Sequence, residues 1–392
     1  MKSIKEEVNL DNKKILLRLD LNVPLNVNKI TDTTRIDKIL PTLEFLITKN
    51  AKIIIISHVG RPKGKVVSEL SLKPICEELS KKLNKNIKLA SKNIKEINLN
   101  ELFRENDEKI IMLENIRFYP EEEKNDPQFA KHLATLADIY VNDAFSCSHR
   151  AHASIHEITN FLPSYSGLQL DLEVNALKRI TSEIKKPITC IIGGSKVSTK
   201  INIIKNLIPK FDNIILVGGM ANNIIKYMGN NIGKSLQEEN SEKIIKEIFS
   251  LSKKVNCKII YPEDIVVGKS LKGDPQIKEL SDIASDEMIL DIGPKTISNI
   301  NHIIDKTSTI LWNGPAGYFE NPKFANGSIK IAKRIIENNK SNKIYSVAGG
   351  GDTVSLINSL NAISNFNFVS TAGGAFLESL EGKELPGIRA LN

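Results

Sequence analysis

Short apolar runs alternate along the chain with stretches in which apolar residues recur every three or four positions. Residues 15–20 and 53–56 are examples of the runs, and residues 35–49 and 73–83 show the helical spacing. Strands of a parallel sheet are buried on both faces and form continuous apolar runs, whereas amphipathic helices show a period of about 3.6 residues. The alternation predicts an α/β fold in which helices cover both faces of parallel sheets.

Four apolar runs in the second half of the chain end in glycine clusters. The clusters are Gly193-Gly194, Gly218-Gly219, Gly349-Gly350-Gly351 and Gly373-Gly374. Each predicts a strand that turns into a helix N-terminus, where unpaired N–H groups and the helix dipole attract phosphate. Glycine lets the phosphate approach the backbone. Several such turns at the same ends of neighbouring strands indicate a nucleotide phosphate site.

The length of 392 residues predicts two domains, because the chain is too long for one typical core. A helix-like stretch over 167–187, which stops at Pro187, is interpreted as the connector. We therefore expect an N-terminal lobe over 1–166 and a nucleotide-binding lobe over 188–375. The last residues, 376–392, are expected to return to the first lobe.

Polar and basic residues follow the predicted strands of the first half. They are Asp20, Asn22, Arg35, His58, Arg61, Arg117 and Arg150. Ligands of open parallel sheets bind outside the carboxyl ends of the strands, so these side chains should converge on one crevice. The four arginines and the histidine predict a site for a small, multiply anionic molecule, since the arginine fork suits phosphate and carboxylate. Taken singly, each arginine could equally form a surface ion pair, and His58 could be a core histidine. Asp20 and Asn22 could simply cap a turn.

Two lysines, Lys196 and Lys200, follow the first glycine cluster. On a helix, residues four apart share a face, and cations at a helix N-terminus oppose its dipole. A bound polyphosphate would reverse that penalty, while two solvated lysines are the alternative. The segment is not a Walker P-loop, because GxxxxGK[ST] does not occur.

The segment from Gly349 to Thr353 offers backbone N–H groups for phosphate and the Asp352 carboxylate for Mg²⁺. Magnesium takes one or two protein carboxylates and completes its shell with phosphates and waters. Alternatively, Asp352 only caps a helix. Glu320 is a candidate acceptor for ribose hydroxyls or an exposed surface acid.

Composition and charge restrict the class of protein. Hydrophobic residues make up 41%, charged residues 26%, and the net charge is +8. The positive charge is compatible with a small anionic substrate, with nucleic acid, or with lysines that only keep the protein soluble. No dense basic run occurs and aromatic residues are only 5%, which argues against nucleic-acid binding. The four cysteines form no CxxC pair, which argues against a zinc site or a disulfide framework. A charged N-terminus and the lack of a long apolar stretch predict a cytoplasmic protein without a membrane partner.

With these residues in view, the chain resembles the phosphoglycerate kinase family over essentially its whole length. The motifs are RLDLNVP (18–24), SHVGRP (57–62), LENIRF (113–118), NDAFSCSHRAHAS (142–154), GGSKVSTK (193–200), GGMAN (218–222), DIGPKT (291–296), WNGPAGYFE (312–320), GGGDT (349–353) and EGKELPG (381–387). The resemblance implies two Rossmann-like lobes joined by a helical hinge. It also implies reversible phosphoryl transfer between 1,3-bisphosphoglycerate and Mg-ADP by a monomer.

The resemblance also implies the site residues. The triose-acid site would comprise Asp20, Leu21, Asn22, Arg35, His58, Val59, Gly60, Arg61, Arg117 and Arg150. The nucleotide site would comprise Lys196, Lys200, Asn313, Glu320, Gly349, Gly350, Gly351, Asp352 and Thr353, with Asp352 as the Mg²⁺ ligand. Arg35, Lys196 and Lys200 would be catalytic, and Gly350, Gly373 and Gly374 would supply transition-state amides. Ala372 and Val59 stand where many members have glycine and leucine.

Both acceptors of such a reaction, a carboxylate and a terminal phosphate, are already anionic, so no general base is required. Catalysis then consists of in-line positioning and charge stabilisation. We expect the two lobes to close and exclude water, with 167–187 and the C-terminal return as hinges. Two other functions are possible alternatives. One is a nicotinamide oxidoreductase, against which the chain has no strand followed by GxGxxG and a downstream acid. The other is a non-enzymatic nucleic-acid binder.

Overall fold

Two six-stranded parallel sheets form the framework of the chain. The computed structural model describes residues 1–26, 29–90, 92–103 and 109–392, except for the side chains of residues 100 and 101. The chain divides into a first unit, residues 1–175 with 384–392, and a second unit, residues 176–383. Each unit contains one of the large sheets.

The first unit is built on a sheet with the strand order β5-β6-β4-β1-β7-β8. Its strands are β1 (Lys14–Leu19), β4 (Lys52–Ile56), β5 (Lys88–Ala90), β6 (Ile110–Leu113), β7 (Ile139–Asp143) and β8 (Ser164–Ser166), and a small hairpin joins β2 (Leu25–Asn26) to β3 (Lys29–Ile30). The helices are α1 (Thr34–Thr48), α2 (Lys73–Leu83), α3 (Leu99–Leu102), α4 (Pro120–Glu123), α5 (Pro127–Ala134) and α6 (Leu168–Thr181). The boundary between the units falls inside α6.

The second unit is built on a sheet with the order β11-β10-β9-β15-β16-β17, beside a three-stranded sheet with the order β13-β12-β14. The strands are β9 (Ile188–Ile192), β10 (Asn213–Leu216), β11 (Lys258–Ile260), β12 (Asp264–Gly268), β13 (Gln276–Glu279), β14 (Met288–Ile292), β15 (Thr309–Asn313), β16 (Tyr345–Gly349) and β17 (Phe368–Ser370). The helices are α7 (Ile201–Leu207), α8 (Gly219–Tyr227), α9 (Glu242–Val255), α10 (Pro294–Asp305), α11 (Asn326–Lys340), α12 (Gly351–Ser359) and α13 (Gly374–Leu380). The short helix α14 (Pro386–Arg389) belongs to the first unit.

Local sequence explains where several helices begin and end. Asp126 precedes Pro127 at the start of α5, and its carboxylate accepts a hydrogen bond from the Phe129 N–H at 2.8 Å. This is the usual combination of an N-cap acceptor and an N1 proline. Asn84 and Asn256 end α2 and α9 in the left-handed conformation, a role that asparagine tolerates better than most residues.

The core of each unit lies on both sides of its sheet. Strands β7, β9 and β15 are buried along their whole length, and β1 and β4 are buried after their first residue. The parallel α/β fold predicted from the apolar runs is therefore confirmed.

The strand order reverses between β1 and β7 in the first sheet and between β9 and β15 in the second. Ligands of doubly wound sheets bind at such switch points, outside the carboxyl ends of the strands. The predicted site residues Asp20 and Asn22 follow β1, while Gly193 follows β9 and Asn313 ends β15. The fold thus places predicted residues at both switch points.

One expectation about local structure is wrong. The chain does not alternate strand and helix throughout, because β12, β13 and β14 form an antiparallel sheet. Strand β1 contains one charged residue in its interior, Arg18, and this side chain is fully buried.

Candidate active site

The loops that follow β1 and β4 are bound to each other in the first unit. The Asn22 side-chain oxygen accepts a hydrogen bond from the Gly60 N–H at 2.9 Å, and the Leu21 N–H donates to the Ser57 hydroxyl at 3.2 Å. Gly60 has φ +65°, so a side chain there would be strained. The Leu21 side chain is fully buried, so this residue can contribute only its main-chain atoms to the site.

Arg35, in the first turn of α1, is paired with Asp20. Its Nη1 donates to both carboxylate oxygens, at 2.7 and 2.6 Å. Burial disfavours the charged guanidinium, but the charge and hydrogen bonding of Asp20, together with the Cys147 and Glu173 charges, raise the pKa of Arg35. The structure therefore brings together two of the predicted residues as an ion pair.

His58 lies on the buried side of the site, only 2% exposed. Its Nδ1 is 3.1 Å from Nη2 of Arg18. Burial, together with the charges of Arg18 and Arg117, lowers the pKa of His58 well below its usual value. The imidazole is therefore neutral at physiological pH, and its Nδ1 accepts from the guanidinium because arginine has no acceptor.

The three other predicted arginines differ in exposure. Arg117 is half-buried and donates from Nη1 to the Gly60 carbonyl at 3.4 Å, and burial lowers its pKa. Arg61 is exposed, as is Arg150, whose Nε donates to His149 at 3.2 Å. The arginines thus combine partly desolvated and solvent-accessible cations.

Val59 is buried in the hydrophobic core of the first unit. Its carbonyl accepts a hydrogen bond from the Asn115 side chain at 2.8 Å. Its side chain therefore packs into the core, and only its main-chain atoms are available to the site.

Sequence reasoning missed a buried polar network behind these residues. Arg18, Glu122 and Ser154 are all fully buried and hydrogen bonded in series. One signal was available in the sequence, namely an arginine in the middle of an otherwise apolar strand.

A cavity of about 280 Å³ lies in the second unit, at the carboxyl ends of its strands. Its lining includes Gly194, Gly218, Leu236, Leu271, Asp291, Glu320 and Asp352. Two acidic residues of this lining, Glu320 and Asp352, are exposed. Leu236 and Leu271, 54% and 46% exposed, were not predicted, because nothing in the sequence distinguishes them from core leucines.

Lys200 and Asn313 are joined in the same unit. The Lys200 Nζ donates to the Asn313 side-chain oxygen, while the Asn313 amide donates to the Gly349 carbonyl at 2.7 Å. Burial lowers the pKa of Lys200, and the Asp352 charge partly offsets this. Lys200 is thus a partly desolvated cation in a fixed position, whereas Lys196 is exposed.

The two lysines do not share a helix face, which corrects the sequence-based expectation. Helix α7 begins at Ile201, and Lys196 lies in the preceding loop. Two contacts account for this loop: the Gly193 N–H donates to the Asn313 carbonyl at 2.9 Å, and the Ser198 N–H donates to Glu238 at 3.0 Å. Both donors are used outside a helix, so the helix starts later.

The three other glycine clusters lead into helices as predicted, with α8, α12 and α13 beginning at Gly219, Gly351 and Gly374. Gly350 has φ +95°, and a Cβ there would lie 2.6 Å from the Asn313 side-chain nitrogen. Gly351 is exposed at the start of α12, next to Asp352.

Gly349 and Thr353 occupy structural positions beside these glycines. Gly349 is buried at the end of β16, and the buried Thr353 hydroxyl accepts from the Gly314 N–H at 2.7 Å. Gly373 has φ +52° and open space around it, and the Ala372 N–H donates to the Ser370 hydroxyl at 3.3 Å.

Among the described residues, no group of three or more His, Cys, Asp or Glu side chains is placed to hold a metal ion. A nucleotide-bound Mg²⁺ needs only one or two protein carboxylates, and the exposed Asp352 on the cavity wall fits that requirement. In the same ranges, no helix has both the length and the apolar character to cross a bilayer.

Comparisons with known proteins agree over nearly the whole chain. Residues 5–383 match the family model described as phosphoglycerate kinase. The chain is 46% identical over 387 residues to the phosphoglycerate kinase of Wolbachia pipientis subsp. Culex pipiens (strain wPip), covering 98% of each chain. It is 44% identical over 388 residues to the enzyme of Bradyrhizobium diazoefficiens, covering 98% of this chain and 97% of the relative. The solved structure of phosphoglycerate kinase from Coxiella burnetii matches with a TM-score of 0.90 at 38% identity, covering 99% of this chain and 98% of that one.

The family match and the relatives define the chain, with its two α/β units, as a phosphotransferase. The acceptor class, a carboxyl group, follows from the relatives. The chain belongs to the phosphoglycerate kinase family. Neither the oxidoreductase nor the nucleic-acid binder is favoured by these findings.

Proposed function

We propose that the chain catalyses reversible phosphoryl transfer from 1,3-bisphosphoglycerate to Mg-ADP, giving 3-phosphoglycerate and ATP in glycolysis and gluconeogenesis. The observation that supports this proposal is that cationic residues and a glycine-rich turn lie near the carboxyl ends of the strands at the switch points of the two large sheets. Arg35 and His58 mark the first site, and Lys200 with Gly350 marks the second.

The first unit binds the phosphoglycerate. Arg61, Arg117 and Arg150 bind the anionic groups of this ligand, and the half-buried Arg35 engages the end of the molecule where the phosphoryl group is transferred. Asp20 and Asn22 hold the first loop, and the Val59 and Gly60 peptides form the second. Partly buried cations suit this role, because charge–charge attraction is stronger where water is excluded.

The second unit binds the nucleotide. The base packs against Leu236 and Leu271, Glu320 accepts from the ribose, and the phosphates lie along the starts of α8 and α12. Asp352 would hold Mg²⁺, which neutralises phosphate charge when bound. The exposed Lys196 and the hydrogen-bonded Lys200 both approach the transferring group.

The chemistry requires orientation and charge stabilisation and no proton abstraction, since both nucleophiles are anionic. Arg35, Lys196 and Lys200 stabilise the equatorial oxygens of the phosphoryl group. The N–H groups near Gly350, Gly373 and Gly374 add hydrogen bonds that are aimed at the same charge. The role of 167–187 as a hinge, the monomeric state and the cytoplasmic location stay predictions.

A coupled assay tests the proposal. The purified chain is mixed with ADP, Mg²⁺ and 1,3-bisphosphoglycerate, and ATP formation is followed; we expect turnover that stops when EDTA is added. Omission of either substrate is the control. Absence of ATP formation by a folded protein would refute the proposal, and a saturable change on titration with NADH would favour the oxidoreductase.

A further inference from the structure

A fully buried carboxylate, that of Glu122, lies behind the arginine site of the first unit. Glu122 is in α4 and is 0% exposed. One of its oxygens accepts from the Ser154 hydroxyl at 2.6 Å and the other from the Ser154 N–H at 2.9 Å. Both oxygens therefore bind a single residue.

Ser154 connects this carboxylate to Arg18. The Arg18 Nε donates to the Ser154 hydroxyl oxygen at 3.0 Å. A hydroxyl has one proton, which Ser154 gives to Glu122, so its oxygen must accept from the arginine. The direction of this series, from Arg18 through Ser154 to Glu122, is fixed.

Arg18 in turn connects the series to His58. Its Nη2 lies 3.1 Å from His58 Nδ1, and its Nη1 donates to the Leu19 carbonyl at 2.5 Å. Since Nη2 can only donate, Nδ1 accepts and the imidazole proton is on Nε2. The orientation of Arg18 thus determines which nitrogen of His58 is a donor.

Two arginines and one histidine lie near the Glu122 carboxylate. Burial raises the pKa of Glu122, while the charge of Arg18, the Ser154 hydrogen bonds and the charge of Arg117 act in the opposite direction. His152 Nδ1 is 3.8 Å from Glu122, and burial and the nearby arginines lower the pKa of His152 to about 3, so this imidazole is neutral. Glu122 is then the buried countercharge of two arginines.

We propose that Glu122 is a positioning residue for phosphoglycerate binding: through Ser154 it orients Arg18, and through Arg18 it keeps His58 as an Nε2–H donor for the anionic ligand. The inference rests on the proposed function for the identity of that ligand. The hydrogen-bonded series itself does not depend on it.

The test compares Glu122→Gln with Glu121→Gln. Glutamine has the shape of glutamate but one acceptor oxygen, so it cannot accept both Ser154 hydrogen bonds. Glu121 is the preceding residue of α4, and its carboxylate is paired with Lys95 at 2.5 Å on the surface. We expect Glu122→Gln to raise the KM for 3-phosphoglycerate about tenfold or more, the usual size for a lost hydrogen bond to a charged group. The KM for Mg-ATP should stay within about twofold, and Glu121→Gln should leave both values unchanged.

A second readout follows His58 directly. The protein has six histidines, so ¹⁵N spectra of histidine-labelled protein are tractable. In the wild type the His58 proton should be on Nε2, and in Glu122→Gln we expect a mixture of both tautomers. A purely structural role for Glu122 would lower stability without moving this equilibrium.

Ser154→Ala keeps the carboxylate but removes the connection, and it replaces Glu122→Gln if that variant does not fold. It should raise the KM for 3-phosphoglycerate in the same way. A folded variant of either kind with unchanged His58 tautomer and unchanged KM for 3-phosphoglycerate would overturn the inference, as would an equal rise in both KM values. If the wild type forms no ATP, the proposed function fails, and the tautomer measurement alone decides the inference.

Discussion

Asp20 holds Arg35 through its guanidinium Nη1, which lies 2.7 and 2.6 Å from the two carboxylate oxygens. A pair of this kind orients a cation before any ligand arrives, which reduces the cost of ordering it on binding. Asp20 follows β1 and Arg35 opens α1, so the pair also fixes the helix against the strand that leads to it.

The first prediction concerns Arg35. We expect Arg35→Ala to lower kcat about 100-fold or more, because it removes a donor aimed at the transferring phosphoryl group. Arg35→Lys should recover part of the loss, since it keeps the charge but not the planar fork. Steady-state kinetics with both substrates measures the effect, and circular dichroism checks folding. Near-normal turnover by folded Arg35→Ala would contradict the assigned role.

The second prediction concerns Lys200, the half-buried lysine on Asn313. We expect Lys200→Ala to lower kcat about 100-fold. Lys205→Ala on α7 is the matched control, because its ion pair with Glu247 lies on the surface at 2.6 Å. An equal loss of kcat in both variants would contradict the assignment of Lys200 to the transferring phosphoryl group.

The third prediction separates two adjacent glycines. Gly350→Ala should destabilise the protein by about 1–3 kcal/mol, since its backbone has φ +95° and the new Cβ would lie 2.6 Å from Asn313. Gly351→Ala should change stability by less than about 0.5 kcal/mol, because the space around it is open. Urea unfolding measures both. Equal destabilisation of the two variants would rule out the close approach at Gly350.

The fourth prediction uses the pH dependence of Asp291, a buried carboxylate on the cavity wall. Burial raises its pKa to about 7, although the Gly327 and Ile292 N–H groups act in the opposite direction. In the native state this group keeps its proton at a pH where the unfolded chain has lost it, so its contribution to stability falls as the pH rises from about 4 to about 7.

Asp291→Asn removes this titration. We expect the variant to be less stable than the wild type at about pH 5, and the difference to shrink by on the order of 2 kcal/mol by about pH 7.5. Urea unfolding across this range measures it. Asp274→Asn is the control, because the Lys323 contact lowers the pKa of that exposed carboxylate and any effect has the opposite sign. A difference independent of pH would show that Asp291 is ionised throughout.

The general fold was predictable because the strands of a parallel sheet are buried on both faces and therefore form continuous apolar runs in the sequence. Isoleucine runs such as residues 53–56 can only be covered on both faces, and the glycines mark where strands turn into helices. The polar residues after β1 and β4 were also found from sequence, since strand ends define the ligand edge of such sheets.

What the sequence did not reveal depends on contacts between distant segments. Lys196 is outside α7 because Ser198 and Gly193 donate to Glu238 and Asn313, which lie far along the chain. The antiparallel strands β12, β13 and β14 are short and without clear alternation. Pairing of this kind is set by tertiary packing more than by local pattern.

Val59 turns its side chain into the core of the first unit, and only its peptide borders the arginine site. Natural selection can therefore exchange one aliphatic residue for another there, provided that the enclosed volume is kept. A protein engineer who wished to alter substrate preference would gain little from mutagenesis at this position.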